Sequence, residues 1–408
     1  MAKPQQDCVI ALKERRDDGF ILDEVLLFGE GEGVSGDETM ILADLGTTTI
    51  VLLLVEKKTG RILETYKEMN PQRIYGADVI SRMEHAMEGK NRELSDLVNM
   101  VMNTAITAWK AKGYVPEKII LAGNTVMLHL LMNYDVSGLS RAPFEAVTTM
   151  SVSFESAGIR GVTVPGISAF VGGDIVAGML LCKRLMRTEK VSRALLIDLG
   201  TNGEMALISP EGNHCTATAA GPAFEGGFGG RMYGADVILA VAGLLRKGIV
   251  DETGLMMQPH FSEGYEEGEV QIRQEDIRAL QVAKAAVFAG IRILLEEAEI
   301  SAQEIENVYL AGGFGYKLSV EAACDIGLIP TVFREKTIAI GNAALSGAYL
   351  YGCQERMGDL DQGGDVLNLQ DSVQELIQST KSINLAEKEH FNDYYLQAMN
   401  LREERDFS

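Results

Sequence analysis

Cysteine is scarce in this sequence, and its spacing excludes the commonest metal clusters. The 408 residues contain five cysteines, which are Cys8, Cys182, Cys215, Cys324 and Cys353. None of them forms a Cys-x-x-Cys pair, so neither an iron–sulfur ligand run nor a paired-cysteine zinc site is encoded locally. Free thiols in a reducing compartment are therefore expected.

Positive charge is also in short supply. Lysine and arginine number 37 against 58 aspartates and glutamates, which gives a formal net charge of -21. This balance argues against a nucleic acid partner, because phosphate binding needs clustered cations. The acidity indicates either simple solubility or a docking surface for a basic partner.

Long uninterrupted apolar runs are missing as well. The run ILADLGTTTIVLLLV contains Asp44, Gly46 and three threonines, so it indicates a strand, a turn and a strand rather than a membrane span. The first residues, MAKPQQDCVIALKERRDDG, carry too many charges for a secretory signal. We therefore expect a cytoplasmic protein that does not enter a membrane.

The sequence does contain a pattern of alternating predicted strands and helices, and this α/β pattern occurs twice. Residues 1–38 indicate a short leading strand region and linker, residues 39–190 a first lobe, and residues 191–408 a second lobe with C-terminal helices. The predicted strands are 40–43, 50–55, 61–67, 118–122, 161–165, 194–198, 204–208, 215–219 and 308–311. The predicted helices are 77–87, 94–110, 126–132, 173–185, 235–245, 275–298 and 320–326. Residues 338–351 predict a strand followed by a helix, residues 374–400 a partly helical segment, and residues 251–269 an exposed loop.

The motif Asp-Leu-Gly-Thr occurs once in each half, at Asp44 and at Asp198, each time between two apolar strands. Glycine permits a tight turn there, and the residues after it offer backbone N–H groups and hydroxyls that suit phosphate oxygens. The aspartate can hold magnesium through water. A single copy would be interpreted as an ordinary hairpin turn, but two copies favour phosphate binding from both sides of one nucleotide.

The candidate site residues follow from this duplication. Asp44 and Asp198 are the predicted metal ligands, and Glu204 or Asp198 is expected to orient an attacking water. The predicted catalytic set is therefore Asp198, Glu204 and Asp44. The phosphate-binding candidates are Gly46, Thr47, Thr48 and Thr49 in the first half and Gly200, Thr201, Asn202 and Gly203 in the second.

Three further parts of the sequence contain weaker candidates. The strand that runs into Gly312, Gly313 and Phe314 could approach adenine and ribose closely, or it could reflect helix–strand packing alone. Asp174 follows a strand and precedes a helix, so it is either a ligand of water or magnesium or an N-cap. Glu225 faces either the ligand or a partner. His129 and Trp109 are expected to be packed residues.

The two hairpins and the segment from Leu310 to Gly315 resemble the superfamily of acetate kinases, sugar kinases, heat-shock chaperones and actin. Longer strings are similar to the ATP-dependent reductive activators of corrinoid proteins, and the resemblance runs from about residue 39 to the C-terminus. These strings are Asn70-Pro-Gln, Tyr75-Gly-Ala-Asp-Val-Ile-Ser-Arg82, Ala219-Ala-Gly-Pro-Ala-Phe-Glu-Gly226 and Gly341-Asn-Ala-Ala-Leu345.

The resemblance implies an α/β fold of two duplicated actin-like (ribonuclease-H-like) lobes with an interlobe nucleotide cleft. It also implies ATP and Mg²⁺ as cofactors, and an activity that returns a corrinoid protein from cob(II) to cob(I) for methyl transfer. Relatives carry an iron–sulfur domain, whereas this sequence has no cysteine cluster, so a separate ferredoxin-like electron donor is expected. A homodimer is also expected.

Two alternatives remain at this point. A small-molecule kinase of the same superfamily would use Asp198 or Asp174 as its catalytic carboxylate. A non-enzymatic nucleotide switch or assembly protein would need neither a corrinoid partner nor a phosphorylated product.

Overall fold

The apolar runs on either side of each Asp-Leu-Gly-Thr motif form the central strands of two mixed sheets. A computed structural model describes residues 9–10, 25–26, 38–220, 234–268, 270–312, 318–353 and 369–402. The chain divides into two compact units, Met1–Arg184 with Asn342–Thr380, and Leu185–Gly341 with Lys381–Ser408. The predicted division at residues 38 and 190 stays a prediction about domains.

The first unit contains a six-stranded sheet and a small ribbon. Its strands are β1 (Val9–Ile10), β2 (Val25–Leu26), β3 (Thr39–Leu45), β4 (Thr49–Glu56), β5 (Ile62–Met69), β6 (Pro116–Gly123), β7 (Ser153–Ser156) and β8 (Ile159–Thr163). β1 and β2 pair with each other, and the large sheet has the order β5-β4-β3-β6-β8-β7. β3 is antiparallel to β4 and parallel to β6, so it lies in the interior of the sheet, and all of its residues except Asp44 are buried.

The helices of the first unit are α1 (Val79–His85), α2 (Asn91–Ala111), α3 (Thr125–Leu131), α4 (Gly173–Glu189, whose last residues belong to the second unit), α9 (Ala343–Gly352) and α10 (Leu369–Gln378). Short 3₁₀ turns lie at Pro71–Tyr75 and Ser137–Ser140, and a π turn at Ala86–Lys90 links α1 to α2. α2 buries Leu94, Val98, Val101, Ala105 and Trp109, which lie three or four residues apart. This spacing forms the apolar stripe that packs on the sheet, as was expected for Trp109.

The second unit repeats the arrangement. Its strands are β9 (Ala194–Leu199), β10 (Gly203–Ile208), β11 (Asn213–Thr218), β12 (Tyr265–Glu267), β13 (Val270–Ile272), β14 (Asn307–Ala311), β15 (Thr337–Gly341) and β16 (Thr380–Ser382). The sheet order is β15-β14-β9-β10-β11-β16, with β9 antiparallel to β10 and parallel to β14. The central three strands therefore have the same directions as β4-β3-β6, which confirms the predicted α/β duplication.

The helices of the second unit are α5 (Gly234–Arg246), α6 (His260–Glu263), α7 (Gln274–Ala298), α8 (Val320–Asp325) and α11 (Phe391–Gln397). Short 3₁₀ turns lie at Ala302–Glu304, Thr331–Lys336 and Leu385–Glu387. α7 is the longest helix of this unit and has most of its residues buried in the core.

Several short strands escaped sequence prediction. The segment predicted as the loop 251–269 contains α6 and β12, and β7, β13 and β16 were not predicted at all. β7, β12, β13 and β16 are only three or four residues long, so alternation of apolar and polar residues is too brief to reveal them. Cys182, Cys215, Cys324 and Cys353 are buried and outside any disulfide, as expected, and Cys8 lies outside the described residues. Within the described ranges, no helix is both long and apolar enough to span a bilayer.

Helices α4 and α9 come into very close contact within the first unit. A Cβ atom added at Gly347 would lie 1.9 Å from the carbonyl oxygen of Ala177, which is backbone and cannot rotate away. By contrast, a Cβ atom at Gly243 in α5 would meet no atom within 4 Å. Gly243 therefore serves as the control position for a substitution at Gly347.

We expect Gly347→Ala to lower the free energy of unfolding by about 1–3 kcal/mol or more, because the two helices must separate. Gly243→Ala should be neutral or stabilising by up to about 1 kcal/mol, because alanine reduces the conformational entropy of the unfolded chain. Urea unfolding followed by circular dichroism measures both. Equal stability of the two variants would contradict the close helix contact.

Candidate functional site

Asp44 lies at the end of β3, where strand pairing fixes its backbone from both sides. It is opposite Val51 in β4 and Ala122 in β6, and its side chain remains partly exposed. Two residues later, a Cβ atom at Gly46 would lie 2.6 Å from the carbonyl oxygen of Thr49, so the turn accepts only glycine. The carboxylate therefore projects at a rigid strand end beside a tight turn.

Asn70 supports this turn from behind. Its side-chain Nδ2 donates to the carbonyl oxygen of Gly46 at 2.9 Å, and its backbone N–H donates to that of Thr48 at 2.8 Å. Asn70 is fully buried. Both carbonyl oxygens thus point toward Asn70. The N–H groups of the same two peptide units, which were predicted to face phosphate, therefore point away from Asn70. The string Asn70-Pro-Gln had drawn attention in the sequence, but no role was assigned to it.

Two more asparagines join the hairpin to helix N-termini. Asn124 caps α3, and its Nδ2 donates to Thr47 Oγ1 at 3.3 Å. Asn342 caps α9, and its Nδ2 donates to Asp44 Oδ2 at 2.7 Å. Sequence analysis assigned neither residue to the site. The available signal was an Asn between a strand and a helix, which predicts an N-cap but not its second contact.

Asp174 lies close enough to Asp44 for the two carboxylates to repel each other. Burial raises the pKa of Asp174 to about 7, the negative charge of Asp44 adds to the rise, and the N–H of Ile175, which donates to Asp174 at 2.9 Å, opposes it. Asp174 is the second residue of α4, where the partial positive charge of the helix N-terminus stabilises its carboxylate. The structure therefore brings two of the predicted ligand residues together in the first unit.

This donor set fits a hydrated magnesium ion. Mg²⁺ in phosphate-binding sites commonly takes one or two carboxylates and keeps several waters. Asp44 and Asp174 supply two carboxylates whose mutual repulsion a cation would relieve. In the part of the chain that the structure describes, no group of three or more His, Cys, Asp or Glu side chains could hold a metal ion.

The second hairpin has the corresponding layout. Asp198 is opposite Glu204 in β10 and Ala311 in β14, and the N–H of Gly200 donates to the carbonyl oxygen of Asn202 at 2.9 Å. Residues opposite each other in an antiparallel pair point to the same face of the sheet. Asp198 and Glu204 therefore project together, as the predicted pairing of a metal ligand with a water-orienting residue requires. Thr201 is buried in the turn.

Gly312 presses directly against this hairpin. Its φ is +103°, and a Cβ atom there would lie 2.3 Å from the carbonyl oxygen of Leu199 and 2.9 Å from Asp198 Oδ1. The glycine is therefore required by its contact with the hairpin, which agrees with the packing interpretation, and a close approach of ligand stays a prediction. Gly313, Phe314 and Glu225 lie outside the described residues.

At pH 8, above the pKa of Asp174, we expect Asp174→Asn to raise the free energy of unfolding of the metal-free protein by on the order of 1 kcal/mol, because a buried like-charge contact is removed. The added stability from Mg²⁺ with a non-hydrolysable ATP analogue should decrease in the same variant. Thermal unfolding with EDTA or Mg²⁺ measures both effects. The control is Asp96→Asn, at an exposed position on α2; a response like that of Asp174→Asn would contradict the assignment.

Comparison with known proteins matches two family models to consecutive parts of the chain. Residues 40–187 match the family model described as the RACo middle region. Residues 192–231 and 230–407 match the model described as the C-terminal domain of RACo, the ASKHA domain. The chain belongs to the RACo family. This match confirms the predicted actin-like character of residues 192–407 and the resemblance to corrinoid activators.

Individual relatives agree with the RACo assignment. The chain is 29% identical over 382 residues to the corrinoid activation enzyme RamQ of Eubacterium limosum, covering 76% of this chain and 63% of RamQ. It is 21% identical over 426 residues to the [Co(II) methylated amine-specific corrinoid protein] reductase of Methanosarcina barkeri, covering 87% of this chain and 76% of that protein. The chain therefore spans less than two thirds of the length of RamQ.

A solved structure of the RACo type shows the same fold. The reductive activator for corrinoid, iron-sulfur protein has a TM-score of 0.77 and 27% sequence identity, and the match covers 90% of this chain and 67% of that chain. The likeness thus extends over nearly all of the sequence.

Proposed function

We propose that this protein binds Mg·ATP through its two Asp-Leu-Gly-Thr hairpins and uses ATP hydrolysis to drive the reductive activation of a corrinoid protein. The observation that carries the proposal is the Asp44 turn. Its aspartate is held by Asn342, its peptide groups are oriented by Asn70, and a second carboxylate, Asp174, lies beside it. Family membership supports a corrinoid protein as the partner, because the names of the relatives refer to corrinoid proteins.

In the proposed mechanism the protein mainly binds and orients. Backbone N–H groups at Gly46–Thr49 and Gly200–Gly203 would bind phosphate oxygens, and Asp44 and Asp198, with Asp174 beside Asp44, would hold the hydrated metal. Bound Mg²⁺ would neutralise the charge of the phosphate chain. Glu204, opposite Asp198, orients the attacking water. Gly312 would lie against the adenosine, and Gly313 and Phe314, which the sequence assigns to the same contact, lie outside the described residues.

In this scheme, ATP can drive activation only if its binding and hydrolysis change the affinity of the activator for one form of its partner more than for the other. A ligand shifts an equilibrium by no more than its preference for one state over the other. Binding and hydrolysis of ATP would therefore have to change the affinity of the activator for the cob(II) and cob(I) forms of its partner. That both hairpins contact the same nucleotide stays a prediction from the duplication.

In this proposal, the electron that reduces cob(II) to cob(I) comes from a group outside the described residues. Reduction of cob(II) to cob(I) takes one electron, so the donor must be oxidised by one electron for each partner activated. The four buried thiols of the described ranges form no metal-binding cluster. We propose a separate ferredoxin-like iron–sulfur protein as the donor, a cytoplasmic location, and a homodimeric assembly of the activator.

We expect slow ATP hydrolysis by the protein alone and a rise of about tenfold or more with a corrinoid protein in its cob(II) state, within the usual range of coupling between two ligands. The control is the same corrinoid protein with methylated cob(III), which is not a substrate for activation and should stimulate less. A coupled ADP assay measures the turnover, and the absorbance of cob(I) with a low-potential reductant measures activation.

Two results would contradict this proposal. One is equal turnover with the cob(II) and methylated forms. The other is ATP consumption that produces a phosphorylated metabolite, since that outcome would favour a small-molecule kinase of the same superfamily.

A further inference from the structure

Arg82, a residue of α1, is completely buried in the first unit, with an exposed fraction of 0%. Burial lowers the pKa of its guanidinium to about 10, and the negative charge of Asp78 acts in the opposite direction. The group therefore still carries its positive charge at pH 7. Its Nη2 is buried and has no hydrogen-bond partner in the part of the chain that the structure describes. Because burial of a charged group is costly, packing alone does not account for an arginine at this position.

The residues just before Arg82 fix the place of its side chain. Asp78 caps the start of α1 by accepting from the N–H of Ser81 at 2.9 Å. The φ of Gly76 is +139°, and a Cβ atom there would lie 2.3 Å from that of Ser81, so the chain folds back tightly at this glycine. Arg82 Nε donates to the carbonyl oxygen of Gly76 at 3.1 Å. The string Tyr75–Arg82, to which the sequence assigned no role, thus forms a closed loop around its own arginine.

Beyond this loop, Arg82 contacts one support of the first hairpin. Its Nη1 donates to Oε1 of Gln72 at 3.4 Å, and Gln72 is fully buried. The side chain of Gln72 is fixed at its other end, where Nε2 donates to the carbonyl oxygen of Leu94 at 2.8 Å. The backbone N–H of Gln72 donates to Oδ1 of Asn70 at 3.0 Å, and Asn70 in turn holds two carbonyl oxygens of the hairpin. A continuous buried path therefore leads from the guanidinium to the turn.

The same nitrogen of Arg82 contacts a second support of this hairpin. Nη1 lies 3.4 Å from Sδ of Met127 in α3, and a thioether sulfur is a weak acceptor. The N–H of Met127 donates to Oδ1 of Asn124 at 2.9 Å, and Nδ2 of Asn124 donates to Thr47 Oγ1 at 3.3 Å. All of these residues are buried, so bulk water does not compete for the contacts. Arg82 therefore lies where the supports of both asparagines meet.

We propose that Arg82 is a positioning residue, which acts through Gln72 and Met127 on the two asparagines that hold the turn of the first hairpin. Its guanidinium does not touch the ligand, because it is fully buried. An arginine that only closed its own loop would need the contact to Gly76 alone. That the turn binds phosphate rests on the proposed function, whereas the effect of Arg82 on the turn does not.

The consequence for the hairpin concerns two backbone N–H groups. Asn70 holds the carbonyl oxygens of Gly46 and Thr48. The same two peptide units contain the N–H groups of Thr47 and Thr49. A peptide unit is planar, so its N–H points away from the side on which its carbonyl oxygen is held, and hydrogen bonds in such a chain strengthen one another. Loss of the guanidinium should therefore change the surroundings of both N–H groups and weaken their contacts to phosphate.

NMR of the full ligand-free chain, labelled with ¹⁵N-threonine, tests the positioning without nucleotide. The amide resonances of Thr47 and Thr49, assigned by their loss in Thr47→Ser and Thr49→Ser, should both shift in Arg82→Met, which keeps a long unbranched side chain but removes every donor. The control is Ser95→Ala. It removes a buried hydrogen bond to the carbonyl oxygen of Leu131 in the same unit and should leave both resonances in place.

Calorimetry with Mg²⁺ and a non-hydrolysable ATP analogue measures the effect on affinity, and thermal unfolding checks that each variant is folded. Arg82→Met should weaken binding by about tenfold, as the loss of a buried hydrogen bond implies. Arg82→Lys, which keeps the charge, should weaken it less, and Ser95→Ala should leave it unchanged. Arg82→Met combined with Asn70→Ala should bind no more weakly than Asn70→Ala alone, because two residues that act on one turn are not additive.

The proposal is overturned if both threonine resonances stay in place in a folded Arg82 variant, if Ser95→Ala shifts them equally, or if the affinity losses of Arg82→Met and Asn70→Ala add in full. It is also overturned if neither Arg82 variant folds, since the arginine would then serve folding alone. Shifted resonances in a chain that binds no nucleotide would reject the proposed function and leave the positioning role of Arg82 in place.

Discussion

The position of one carboxylate at the end of a buried strand underlies the rest of this structure. In β3, Asp44 is fixed by pairing to β4 on one side and to β6 on the other, and the side chain of Asn342 holds its Oδ2. In β9, Asp198 is fixed in the same way by β10 and β14. The position of each aspartate is therefore set by the pairing of its strand with both neighbouring strands, and it does not depend on the packing of the aspartate side chain.

Gly46 and Gly312 extend this constraint to the turns. In both cases an added Cβ atom would meet a backbone carbonyl oxygen at less than 3 Å, so the close approach cannot be relieved by a change of rotamer. The first unit adds a second carboxylate, Asp174, and the second unit adds Glu204 opposite Asp198. The two turns are thus similar in backbone and different in their nearby acidic residues.

The sequence predicted the hairpins well because their determinants are local. Apolar runs, an aspartate at the strand end and a following glycine all lie within ten residues. The asparagines that hold the first hairpin were not assigned because their contacts are long-range: Asn342 reaches Asp44 across 298 positions, and Asn124 reaches Thr47 across 77.

The most direct test of the central claim is the binding stoichiometry of Mg²⁺ with a non-hydrolysable ATP analogue, measured by calorimetry for the native chain, Asp44→Asn and Asp198→Asn. The account predicts one nucleotide per chain, and an affinity lowered about tenfold or more by either substitution, because each removes a charged contact to the same ligand. Two nucleotides per chain, with each substitution removing only one of them, would contradict it.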